Sequence, residues 1–172
     1  MQIKLVVDSA SDIDLEEAKA LGIHMIPMSI QFGDQTYADG VDLSRREFFE
    51  KLIESSELPT TSQINMFQFE ECFKELTADG SKVVVITLSS KLSGTYAGAV
   101  SAARSFPDQV FVVDSLNVCI GERILIQHAI RLLKNGISAR ELVERLEKDR
   151  NRIKLMALLG TLEYLQKGGR IS

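Results

Sequence analysis

The sequence predicts an α/β fold with a mostly parallel sheet flanked by helices, and three features lead there. Strand-like runs alternate with helix-like segments along the whole chain, the pattern of successive βαβ units. The runs "VVVI" and "VFVV" are apolar at every position, as strands covered by helices on both faces must be. The tetrapeptide "VVDS" occurs at residues 6–9 and again at 112–115, each time where an apolar run ends. Open α/β sheets bind ligands beyond the carboxyl ends of their strands, so Asp8, Ser9, Asp114, Ser115 and the serines of residues 89–93 are expected to share one rim.

In chain order, "IKLVVD" (3–8) is a first strand that stops at Asp8. Asp14 with Glu17, Ser44 with Glu47, and Ser138 with Glu141 have the spacing that caps a helix start. "IHMIPMSI" (23–30) reads as the second strand, and Gly33-Asp34, between short β-prone pieces, predicts a hairpin or flap. In "ELPTTSQINMFQFEECFKEL", Pro59 breaks the chain before Thr60, Thr61, Ser62 and Gln63, and an amphipathic helix is expected from about residue 67. "KVVVITL" (82–88) is a buried strand running into the Ser-rich turn "SSKLSG" and a helix of small residues. "VFVVD" (110–114) and "IKLMALL" (153–159) read as further strands. Leu142, Val143 and Leu146 make the stripe of an ordinary surface helix between them. "LEYLQKGGRIS" is a helix stopping at its glycines.

A chain of 172 residues, 45% of them hydrophobic, buries one good core. The balance of 20 Lys and Arg against 24 Asp and Glu, with no basic stripe, argues against a nucleic-acid surface. Cys72 and Cys119 lie in apolar, helical surroundings without a CxxC motif and are expected to be structural thiols, with no metal site. The first apolar run is cut short by Asp8, so a cleavable signal is not expected there, and no apolar run is long enough to span a bilayer. A cytoplasmic location is the default expectation.

The turn at residues 89–94 lacks the glycines of a phosphate-binding P-loop, and no strand is followed by a dinucleotide fingerprint. "KLSGT" keeps only the trailing glycine of a serine hydrolase elbow, and His24 and His128 both read as structural. What remains is capture of an anion. A helix N-terminus presents unpaired N–H groups and a partial positive charge, neighbouring hydroxyls add donors, and Gly94 permits close approach. Ser93 as a plain N-cap ahead of Thr95, Tyr96 and Ala97 is the competing reading. The second hydroxyl cluster, at residues 60–63, could close on the same anion from the other side. A serine hydrolase with Ser93 as nucleophile and a ligand-free regulatory or interaction module are the alternatives from other classes.

Taken together, "DSASD" (8–12), "TTSQ" (60–63), "LSSKLSGTY" (88–96), "VVDS" (112–115) and "LEYLQKGGRIS" (162–172) resemble the DegV family of bacterial fatty-acid-binding proteins. The resemblance covers nearly the whole chain. It implies an α/β N-terminal domain related to a dihydroxyacetone-kinase domain over residues 1–165, with residues 166–172 opening a second, lipid-binding domain. It further implies a long-chain fatty acid such as palmitate as the bound ligand, with no cofactor. Thr61 and Ser93 would hold its carboxylate, supported by Ser62, Gly94, Thr95 and the backbone amides there, with Arg170 facing the head group or a partner. That partner would be a separate ATP-dependent fatty acid kinase, the binder itself not being an enzyme. Two positions depart from the family pattern: Ile64, where many relatives have Pro after T-S-Q, and Glu122-Arg123, where a small apolar stretch is expected after Gly121.

Overall fold

A computed structural model, which describes residues 2–171, shows two sheets of different kinds. The larger is parallel and contains β1 (Ile3–Asp8), β2 (His24–Ile26), β6 (Lys82–Thr87) and β7 (Val110–Asp114), ordered β2-β1-β6-β7. The smaller is antiparallel, with β3 (Ser29–Phe32), β4 (Gln35–Ala38) and β5 (Thr60–Ser62) in the order β4-β3-β5. Seven α-helices, with 3-10 turns at Ser9–Ser11 and Arg150–Arg152, complete the described residues: α1 (Leu15–Leu21), α2 (Arg45–Glu54), α3 (Met66–Thr77), α4 (Thr95–Ala103), α5 (Ile120–Lys134), α6 (Ala139–Asp149) and α7 (Glu163–Lys167).

The period of two along each strand sorts the core into two layers. Leu5, Val7, Val84, Ile86 and Val113 turn to one face and meet Leu125, Ile126 and Ala129 of α5 and Leu142 and Leu146 of α6. Val6, Val83, Val85 and Val110 turn to the other and meet Phe69, Phe73 and Leu76 of α3 and Ala99 and Ala102 of α4. Each fully buried side chain of this size contributes about 1.5–3 kcal/mol, so the double coverage explains why "VVVI" is apolar at every position. Ser44 with Glu47 and Ser138 with Glu141 form reciprocal capping boxes, and Asp14 accepts the Glu17 N–H at 2.8 Å. The Gly33-Asp34 hairpin joins β3 to β4, with Gly33 at φ 54.

Four expectations need correction. The run at 23–30 is two strands in two sheets, because the chain leaves the parallel sheet at Pro27, which has no N–H to donate, and Met28 N–H goes to Ser9 Oγ at 3.1 Å. Residues 153–159 form no strand: among the described residues nothing pairs with them, and Met156 is 91% exposed. Thr60, Thr61 and Ser62 are strand β5 rather than a loop feeding a helix, and α3 is capped by Asn65 in a capping box with Gln68. Cys119 is exposed, at φ 52, just ahead of α5, so it does not share the partly buried position of Cys72. The expected domain boundary at residue 165 falls inside α7, and the last residue of the final motif, Ser172, lies outside the described residues.

Glu122 is the unexpected member of the core. It lies on the stripe of Leu125, Ile126 and Ala129 that α5 turns to the sheet, is 0% exposed, and neither carboxyl oxygen has a partner among the described residues. Burial, reinforced by the Asp8, Cys119, Asp12 and Asp114 charges, pushes its carboxyl well above the ordinary range. Burial also pushes Asp8 up to about 6, against two stabilising backbone N–H donors. Both groups hold their protons more tightly folded than unfolded. The stability they allow is therefore complete below the unfolded carboxyl range and is lost as the pH rises through about 6 for Asp8, and higher for Glu122. Glu122→Leu is expected to raise unfolding stability at pH 7 by about 1–3 kcal/mol, the cost of an unsatisfied buried polar group. The gain should shrink on acidification. Urea midpoints of the two proteins from pH 4 to 8 check this, and a variant no more stable than the parent at pH 7 contradicts it.

Candidate functional site

In the parallel sheet the chain steps from β1 outward to β2, then returns to the far side of β1 with β6 and proceeds to β7. The order reverses between β1 and β6, so their carboxyl ends flank the crevice such sheets use for ligands. Asp8, 1% exposed, spans that crevice: its Oδ2 accepts the Leu88 N–H at 2.8 Å and its Oδ1 the Ala10 N–H at 3.0 Å. Next to it, Ser89 N–H donates to Asn117 O at 2.7 Å and Ser90 N–H to Asp114 Oδ1 at 3.1 Å. Asp114 Oδ1 also takes the Leu116 N–H at 2.9 Å. The expected rim forms, and its two aspartates are committed to bracing backbone.

This bracing delivers the chain to α4. Ser93 Oγ lies 3.0 Å from Thr95 Oγ1 and accepts the Thr95 N–H at 3.3 Å. Thr95 Oγ1 in turn accepts the Ile64 N–H at 3.3 Å, a bond that a Pro at position 64 could not make. The N-cap of α4 is Gly94, without a side-chain cap bond, so Ser93 is not the cap. The starts of α1, α2, α3 and α6 are all capped by side chains, which leaves α4 and α5 without such caps among the longer helices.

Across the seam, the Gln63 side chain lies against Gly94. Two residues earlier, on β5, Thr61 Oγ1 accepts from Arg170 Nη2 at 3.4 Å. Ser62, exposed, alternates to the opposite face. Of the residues singled out from the sequence, the fold joins Thr61 to Arg170 and Ser93 to Thr95, with Gln63 and Gly94 linking the two pairs. Thr61 and Arg170 also stand in the wall of a cavity of about 880 Å³ between the end of α2, β5 and α7. Leu52, Leu58, Pro59, Tyr164 and Leu165 supply its apolar lining, and Lys167 stands beside them; Ser93, Gly94 and Thr95 lie outside it. The 58–59 and 164–165 pairs were not legible as neighbours, since more than 100 positions separate them in the sequence.

For hydrolysis the arrangement offers Ser93 no histidine partner: its hydroxyl is bonded to Thr95, His24 is exposed on β2, and His128 Nε2 sits 3.0 Å from Asp149 Oδ2. Among the described residues no cluster of His, Cys, Asp and Glu is placed to hold a metal ion, and no helix is long and apolar enough to cross a membrane.

The family model described as "Uncharacterised protein, DegV family" matches residues 2–172. A DegV domain-containing protein of Staphylococcus aureus is 41% identical over 168 residues, covering 98% of this chain and 60% of the relative. One from Clostridium perfringens is 36% identical, covering 99% of this chain and 62% of its own length. The chain therefore spans about three fifths of the curated relatives it matches. Among solved structures, DegV of Bacillus subtilis, a fatty acid binding protein, superposes with a TM-score of 0.87 at 32% identity, over 98% of this chain and 61% of that one. A fatty-acid-binding DegV family protein from Thermus thermophilus gives 0.86 at 31%, over 98% and 60%. A stearic acid-binding protein from Eubacterium ventriosum gives 0.82 at 29%, over 98% and 60%.

The seam between α4 and the β5–α3 connection is tight at a second glycine. A Cβ on Gly98 would meet the backbone oxygen of Ile64 at 2.8 Å. Gly98→Ala is expected to lose about 1–3 kcal/mol of stability through overpacking, more than the roughly 1 kcal/mol an alanine adds to a helix interior. Urea unfolding measures this, and an unchanged or raised midpoint would show that the seam can open.

Proposed function

Because the chain belongs to the DegV family, we propose that it binds a long-chain fatty acid such as palmitate, gripping the carboxylate between Thr61, Ser93 and the backbone amides at the start of α4. One observation carries this reading: the Thr61 hydroxyl and the Arg170 guanidinium stand together in the wall of a cavity of about 880 Å³ that has Leu52, Leu58, Pro59, Tyr164 and Leu165 on its apolar side and Ser55, Ser56, Glu57, Thr60 and Lys167 on its polar side. That volume is in the range of small-molecule sites, roughly 300–1,000 Å³, and the apolar side offers a surface for a hydrocarbon tail. The fatty-acid binding stated for the Bacillus, Thermus and Eubacterium proteins supports the ligand class.

The forces divide between tail and head. Burying hydrocarbon yields about 0.8 kcal/mol per CH₂, so the tail dominates affinity. The head group is oriented by hydroxyls, by the partial positive charge at the start of α4, and by Arg170, whose guanidinium matches a carboxylate. Gly94 and Thr95 complete the seat, Gly94 through its backbone and Thr95 by holding Ser93, whereas Ser62, on the face opposite Thr61, stays outside it. No group of this chain performs chemistry on the acid. A separate ATP-dependent fatty acid kinase would then transfer the γ-phosphoryl group of ATP to the presented carboxylate.

Calorimetric titration with palmitate tests the seat. Ser93→Ala and Thr61→Ala are each expected to weaken binding by about 1.5–3 kcal/mol, the range for hydrogen bonds to charged groups. Affinity equal to that of the parent in both variants argues against this head-group assignment, and a parent that takes up no palmitate argues against the function.

A further inference from the structure

Gly94 does not owe its identity to its backbone. At φ −73 and ψ 1 it lies in a region open to any residue. Space is the constraint. A Cβ there would fall 2.0 Å from Gln63 Oε1, 2.8 Å from Cδ and 3.1 Å from Nε2, so the carboxamide lies on the bare Cα. Gln63 is exposed, and its neighbours' bonds, Ile64 N–H to Thr95 Oγ1 and Asn65 N–H to Gln68 Oε1, leave that carboxamide without a partner among the described residues. An exposed glutamine normally spends its freedom on many rotamers. Here the missing side chain at 94 provides a bed that holds it beside the first turn of α4, two residues along the chain from Thr61.

We propose that Gln63 is a specificity-determining residue that donates its Nε2–H to the ligand's head group, and that position 94 is glycine to seat it. The inference rests on the fatty-acid reading above and adds to it a neutral donor between the Thr61 and Ser93 sides. A carboxamide N–H bonds an ionised carboxylate more strongly than a neutral ester carbonyl, so the residue selects the free acid. Gly94 acts through Gln63, because the first atoms an added methyl group meets are those of the carboxamide.

Titrations with palmitate and with methyl palmitate on the parent, Gln63→Ala, Gln63→Met, Gly94→Ala and the Gln63→Ala/Gly94→Ala pair test this. Each single variant is expected to bind palmitate roughly tenfold more weakly, in line with loss of one hydrogen bond to a charged group. Methyl palmitate affinity should stay within about twofold, and the double variant should bind no worse than Gln63→Ala alone, as coupled positions do. The proposal is overturned by a Gln63→Met variant with parental palmitate affinity, which would make the role packing alone. Losses that multiply in the double variant, or that fall equally on the ester, overturn it as well. Should Gly94→Ala fail to fold, the Met and Ala variants at 63 decide by themselves. A parent that binds no palmitate removes the fatty-acid reading and this inference together, whereas a parent that binds with indifferent Gln63 variants removes only the inference.

Discussion

The buried Asp8 carboxyl is the constraint on which the rest of the site depends. It stands where the strand order reverses, and by accepting the Leu88 and Ala10 N–H groups it ties the end of β1 to the end of β6. Its burial is costly enough to lift its proton affinity to about 6. The two hydrogen bonds offset part of that cost, and in return the chain leaves β6 in a defined direction. Everything downstream, from the bonds of Ser89 and Ser90 to the start of α4, inherits that direction.

The second half of the site comes from the small antiparallel sheet. β5 adds to β3 by three paired residues, which holds Thr61 on a strand with fixed alternation. The chain then crosses to α4, where the Ile64 N–H meets Thr95 and the Gln63 carboxamide meets Gly94. Thus the parallel sheet positions one wall and the antiparallel sheet the other, and α4 is the surface on which they join. Glu122 shows the same economy from the opposite side: a carboxyl with no partner sits where α5 meets the strand ends, close enough to feel Asp8 and Asp114.

Much of the fold was legible because it follows from local periodicity. The apolar runs of β1, β6 and β7, the three Ser or Asp caps and the Gly33-Asp34 hairpin each depend on residues within a few positions of one another. The failures were nonlocal. Nothing within 23–30 states that its halves join different sheets, and the apolar run at 153–159 has strand composition but no neighbour to bond. Thr61 and Ser93 were visible as hydroxyls in suggestive company. The cavity wall made by Leu58 and Tyr164 was not, because nothing near either residue refers to the other.

By itself, then, the sequence determined the family, the α/β class, the caps and the set of polar residues that gather at the strand ends, since composition and short-range spacing carry that information. Tertiary structure alone decided what those residues touch: that Asp8 and Asp114 brace backbone, that Thr61 meets Arg170, and that the Gln63 carboxamide lies on Gly94. The physical reason is that a hydrogen-bond partner or a steric neighbour is fixed by where distant segments arrive in space, and that depends on sheet order and strand register, which no single stretch of residues encodes.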